Sequence, residues 1–130
     1  MLRMGDVFCQ AVRGENPVDK MYEDGLVMAF LDKYPKGEGH ALVIPKKHAE
    51  NIYDIEEETL AQCHRIAKRV AIAMKKILKM DGVLIMQANE AAGLQHVFHF
   101  HVHIIPKYAN NRTNGKSSRE LLEKIIEKLR

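Results

Sequence analysis

The chain has no tryptophan, only two cysteines, and no apolar run near the roughly 20 residues needed to cross a bilayer. A membrane-spanning role is therefore not expected. Cys9 and Cys63 lie far apart and form no Cys-x-x-Cys pair, so nothing calls for a disulfide framework. The first six residues hold no apolar segment of signal-peptide length, which makes the cytoplasm the default location. Charge of one sign is also scarce. The net charge is +3, and residues 107–130, with seven Lys/Arg against three Glu, account for it. The main body has no basic footprint for nucleic acid. No Asp or Glu occurs between Ala91 and Glu120.

What is present suits an ordinary globular domain. The 130 residues, 46 % hydrophobic and 28 % charged, can bury a core without staples. A short helical stretch is expected over 6–13, then a Gly/Pro turn at Arg13–Pro17. Lys20–Glu23 and Leu26–Leu31 read as strands. Asp24-Gly25 between them is a hairpin signal of the kind that sets both turn residues at positive φ. His40–Pro45 is nearly all apolar, as a central strand buried on both faces would be. Glu56–Met80 is the clearest helix, because Leu60, Cys63, Ala67, Val70, Met74 and Ile77 recur at three- and four-residue spacing. Glu56–Glu58 at its start and Lys75, Lys76 and Lys79 near its end suit the helix dipole. Gly82 is placed to cap it. Val83–Asn89 reads as a strand and Ala91-Ala92-Gly93 as a loop. Ser117 and Glu120 form a capping-box pattern ahead of a last helix with Leu121, Leu122, Ile125, Ile126 and Leu129 on one stripe. Strands, a long helix, strands and a terminal helix make an α+β fold with a mostly antiparallel sheet. We divide it into a main domain, 1–108, and a C-terminal loop and helix, 109–130, packed on that domain.

The chemistry concentrates in His99-Phe100-His101-Val102-His103. On a strand, alternate side chains share a face, so the three imidazoles point one way, roughly 7 Å apart, and Phe100, Val102 and Ile104 point the other. Pro106 marks the strand's end. Neutral imidazole is both a common metal ligand and a nucleophile. A catalytic metal also calls for carboxylates around its ligands. The carboxylate-free segment favours the nucleophile.

His99–Ile105 resembles the His-φ-His-φ-His-φ-φ motif (φ apolar) of the histidine-triad family. The likeness extends to Met28–Asp32, Gly39–His48, Asn89–Gly93 and Gln95, and so covers about Phe8 to Pro106. It implies the family's small, single-domain, phosphoramidase-like branch. His101 would attack the α-phosphorus of a purine nucleotide conjugate, form a covalent nucleotidyl-histidine and yield to water. His103 and His40 would bind the phosphate and His99 would orient the nucleophile. Asp32 would accept from the ribose hydroxyls, Phe30 would line the base pocket, and Asn89 and Gln95 would make phosphate-side or loop contacts. Hydrolysis of dinucleoside polyphosphates, and nucleotide binding with little turnover, stand as alternatives. The chemistry itself requires no cofactor, and a homodimer is implied.

Two positions depart from the family pattern. His96 stands where many members have Ser or Thr. It either donates a proton to the leaving group or serves as a spacer. Asp6 stands where zinc-holding members have the first cysteine. Either Asp6, Cys9, His48 and His99 hold a structural zinc, or the site is lost and Cys9 is a buried thiol.

Overall fold

A computed structural model describes residues 6–109 and 118–130. Their elements run α1 (Val7–Val12), β1 (Asp19–Glu23), β2 (Val27–Leu31), β3 (Ala41–Pro45), α2 (Glu57–Leu78), β4 (Gly82–Met86), a 3₁₀ turn (Ala91–Gly93), β5 (Val102–Lys107) and α3 (Ser118–Leu129). The five strands form one antiparallel sheet in the order β1-β2-β3-β5-β4. The fold is α+β, as expected. The expected Ser117 cap and the loop after Ala109 lie outside the described residues.

Pleating gives the sheet two faces. Val27, Ala29, Ala41, Val43, Val102 and Ile104 are buried with Cys63, Ile66, Val70 and Met74 of α2 and with Leu121 and Ile125 of α3. This is the larger core. The alternate residues Met28, Phe30, Leu42 and Ile44 are buried under α1 with Phe8 and Ala11. The candidate site histidines His40, His101 and His103 lie on this second face. Residue His103 belongs to it, because it pairs across the ladder with Leu42, whose neighbours Ala41 and Val43 face α2.

Four local expectations are corrected. Gly25 does not take positive φ. Instead the Asp24 carboxylate accepts from the N–H groups of Leu26 (2.7 Å) and Val27 (2.9 Å), so a side chain bridges the hairpin turn. Helix α2 ends at Lys79, which itself holds the left-handed conformation (φ 51°), rather than at Gly82, which opens β4. Strand β5 begins at Val102, so only the last triad histidine lies in a regular strand. Pro106 is inside that strand, paired with Val83, at a point where the ladder to β3 has already ended at Ile104. Its missing N–H therefore breaks no bond on the β3 side.

Candidate functional site

The segment entering β5 is extended but irregular. A main-chain bond from Phe100 N–H to the Ala49 carbonyl (2.7 Å) ties it to the chain after β3. Without a regular pleat, the three rings do not share one direction. His101 and His103 stack edge to face with centroids 4.7 Å apart. His99 turns away, to Cys9 and His48.

Main-chain groups decide which ring nitrogen carries each proton, and the hydrogen-bond pattern assigns the tautomers. His101 Nδ1 lies 2.7 Å from the His99 carbonyl oxygen. A carbonyl only accepts, so Nδ1 bears the hydrogen and Nε2 holds the lone pair. Nε2 has no protein partner among the described residues. The His101 ring is 6 % exposed and packs against Phe8 at a centroid distance of 5.1 Å. Burial pushes its pKa below the ordinary histidine value, which keeps it neutral.

The same reasoning runs through His40 and His103. The Lys36 N–H donates to His40 Nδ1 at 3.0 Å. His40 must then carry its proton on Nε2, which lies 3.0 Å from His103 Nδ1 and 3.4 Å from Asp32 Oδ2. His103 Nδ1 therefore accepts, and its hydrogen sits on Nε2. The outcome is a directed chain from Lys36 through His40 to an N–H on His103. Desolvation lowers both pKa values, that of His103 to about 3, with the neighbouring imidazoles adding to the effect. Asp32, His40 and His103 are close enough to hold a metal. An ion there would have to displace the His40 Nε2 proton onto Nδ1, where it would collide with the Lys36 N–H. The pattern favours hydrogen-bond donation over metal binding.

A second cluster sits at the mouth of α1. Cys9 Sγ is 3.4 Å from Asp6 Oδ2, His48 Nδ1 and His99 Nδ1. Asp6 Oδ2 is 3.2 Å from His48 Nδ1, and Asp6 Oδ1 is 3.3 Å from His99 Nδ1. Four donors on a tetrahedral zinc are spaced roughly 3.3–3.7 Å apart, from bond lengths of about 2.0–2.3 Å. The set fits zinc in both chemistry and spacing. His99 Nε2 faces the Pro45 carbonyl at 2.9 Å, so its Nδ1 is the lone-pair nitrogen, as a ligand requires. Without an ion, burial and Asp6 hold the Cys9 thiol up at about 11.

The remaining expected residues divide. Asp32 accepts from the Tyr34 N–H (2.9 Å) and borders, with His40, an open cleft also lined by Pro35, Gly37 and Leu121. Phe30 is buried edge-on against Phe8 at 5.7 Å, beneath the histidines. Asn89 bonds Gln87 and the Ile52 N–H. Gln95 is 2 % exposed, and its amide is fully used. It donates to the Glu50 and Val97 carbonyls and accepts from the Glu90 N–H and Asn51. These bonds tie Gln95 to the loops around it. The contact of His99 with His101 Nδ1 is made by its carbonyl, not its ring. His96 is exposed. Sequence reasoning missed two participants, Phe8 and the Lys36 N–H. No local pattern marks either, since each acts on a residue distant in sequence.

A model of the HIT domain matches residues 13–110. The adenosine 5'-monophosphoramidase HNT1 of Saccharomyces cerevisiae is 43 % identical over 101 residues, 78 % of this chain and 61 % of that protein. A zinc-bound histidine triad family protein of Mycobacterium smegmatis superposes with a TM-score of 0.86 at 31 % identity, covering 97 % of this chain and 94 % of that one. A Hit-like protein of Bartonella henselae gives 0.85 at 39 % identity, covering 100 % and 97 %.

Proposed function

The chain belongs to the HIT domain family, and from that premise we propose that it is a nucleoside phosphoramidase working through a nucleotidyl-His101 intermediate. The observation that carries this reading is the His101 Nδ1 bond to the His99 carbonyl, which fixes Nε2 as the lone-pair atom of a neutral ring. Nε2 attacks the α-phosphorus of a purine nucleotide conjugate. A P–N bond forms as the bond to the leaving group breaks, and the leaving amine departs with the electron pair and takes up a proton. Water then attacks the same phosphorus, the P–Nε2 bond breaks, and the mononucleotide leaves. The His103 Nε2–H, held in place by His40, donates to the phosphoryl oxygen as charge develops there. Asp32 takes the ribose hydroxyls and Phe30 backs the base. Asn89 shapes the loop on the phosphate side. His96, exposed just ahead of the triad, protonates the leaving amine.

The chemistry asks for no cofactor. Zinc at Asp6, Cys9, His48 and His99 would cross-link α1 to the segment carrying the triad. With four protein donors it would be structural, because no open position remains. The active form is a homodimer. Strand β4 is an outermost strand of the sheet and leaves Val83, Leu84 and Ile85 38–43 % exposed, an edge suited to pairing with a second copy. Neither cysteine forms a disulfide, in keeping with a cytoplasmic setting. No helix among the described residues is long and apolar enough to cross a membrane.

The test is rapid quenching with adenosine phosphoramidate, followed by mass spectrometry of the peptide carrying His101. A nucleotidyl adduct on His101 is expected. Turnover of this substrate without any adduct overturns the mechanism. Faster turnover of a dinucleoside polyphosphate would move the assignment to that substrate class.

A further inference from the structure

The donor set around Cys9 and the nucleophile share parts, and Asp6 is where they join. Both of its oxygens face the donor set, and one of them, Oδ1, 3.3 Å from His99 Nδ1, also caps a helix. Oδ1 accepts from the N–H groups of Phe8 (2.9 Å) and Cys9 (2.7 Å), which makes Asp6 the N-cap of α1. Oδ2 faces Cys9 Sγ and His48 Nδ1. The capped helix is only six residues long, too short to persist without a cap and tertiary anchors. It carries Phe8, whose ring packs on His101 at 5.1 Å and on His99 at 5.9 Å. His99 closes the circle, with its ring in the donor set and its carbonyl holding the His101 Nδ1–H.

We propose that Asp6 is a positioning residue for the nucleophile: one carboxylate caps α1 and ligates zinc, so that ion binding at Asp6, Cys9, His48 and His99 sets the placement of His101 through Phe8 and the His99 carbonyl. The inference rests on the reading above that this cluster holds zinc. Chemistry explains why aspartate suits the position. Cysteine is a strong ligand but a poor cap, whereas asparagine is a good cap without the anionic ligand. Aspartate combines the two, at the cost of a weaker bond than thiolate.

The two roles separate in two variants of the full chain, Asp6→Asn and Asp6→Cys, studied beside the parent with zinc alone as the probe. Zinc affinity is read by competition with a chelator. The His101 ring is read by its ¹⁵N signals in long-range ¹H–¹⁵N spectra, and function by kcat and KM on adenosine phosphoramidate. Removing zinc from the parent should shift the His101 signals and lower kcat at least threefold with little change in KM. Asp6→Asn should lose at least tenfold in zinc affinity yet keep the metal-free parent's His101 signals, because the cap survives. Asp6→Cys should bind zinc at least as tightly as the parent. Its metal-free His101 signals should broaden or move further, and zinc should restore them. If the parent binds one zinc but its removal leaves the His101 signals unmoved, the coupling falls and the zinc site stands. If the parent takes up no zinc, both fall. If the two variants give identical metal-free spectra, the dual role of Asp6 is wrong.

Discussion

On one flank of His101 stand Asp6, Cys9, His48 and His99; on the other stand Asp32, His40 and His103. Each flank is a tight group of imidazoles with one carboxylate, and on composition alone either would pass as a metal centre. Backbone groups separate them. The Pro45 carbonyl takes the Nε2 hydrogen of His99 and aims a lone pair into the first cluster. The Lys36 N–H occupies the lone pair of His40 and aims a hydrogen into the second. One cluster is left with converging acceptors, which suits a cation. The other is left with a donor at its end, which suits phosphate. The lesson is that a ligand set is read from the far nitrogen of each ring.

The largest effect that would break this division is at its centre. His101→Gly should lower kcat by about 10³–10⁵ by removing the proposed nucleophile. Zinc content should stay unchanged, because the His99 ring remains. Retained turnover in single-turnover assays would place the chemistry elsewhere. Next comes His40→Ala. It leaves His103 Nδ1 without its donor and frees the ring to take either tautomer. A loss of about 10–10²-fold in kcat is expected, in the range of one misaligned donor to a developing oxyanion.

Acidity probes the buried histidines of both flanks through stability, since burial lowers the pKa values of His99 and His101 as well. Burial holds the folded pKa of His103 down at about 3 and also lowers that of His40, against an ordinary value of 6.5. Below pH 6.5 the unfolded chain takes up protons that the folded chain refuses. Stability is therefore full above pH 6.5 and falls as pH drops toward 3. The slope is at most about 1.4 kcal/mol per pH unit for each group, and less for His103, which is partly solvated. Urea unfolding at pH 7.5 and 5.0 should differ by on the order of 2 kcal/mol. A flat profile would mean that these rings are charged or solvated in the folded state.

The sequence made the triad, its apolar counter-face and the long helix legible, because each is a local pattern. The spacing of His99, His101 and His103 is regular. What it could not reveal is that β5 starts only at Val102, so that the first ring turns to Cys9, 90 residues away in sequence. The partners that settle the tautomers, Lys36 N–H and the Pro45 and His99 carbonyls, are backbone groups and carry no side-chain signature. Val83–Asn89 read as a strand, and its exposure could not be read for a related reason. Hydrophobic pattern reports that a segment wants cover, and among the described residues Val83–Ile85 of β4 stay 38–43 % exposed. Turn chemistry misled in the same way: Asp24 acts through its carboxylate, where the Asp-Gly pair suggested backbone conformation alone.

The smallest effect tests whether the loop before the triad serves only as a support. Glu90 (φ 66°) and Leu94 (φ 75°) both hold positive φ without being glycine. Such conformations cost of order 1 kcal/mol and persist only where the surroundings enforce them. Here Gln95 supplies the enforcement, bonding the Glu90 N–H and clamping the loop to the Glu50 carbonyl, two residues past His48. Leu94 is 67 % exposed, so its side chain gives up little burial if removed. Leu94→Gly should relieve the strain but raise the entropy of the unfolded chain, for a net gain of at most about 1 kcal/mol in urea unfolding. If the loop only supports the ion-binding flank, kcat on adenosine phosphoramidate should stay within twofold. A larger fall would mean that the strained loop reaches the reacting groups, and that the division between the two flanks of His101 is less clean than their hydrogen bonds suggest.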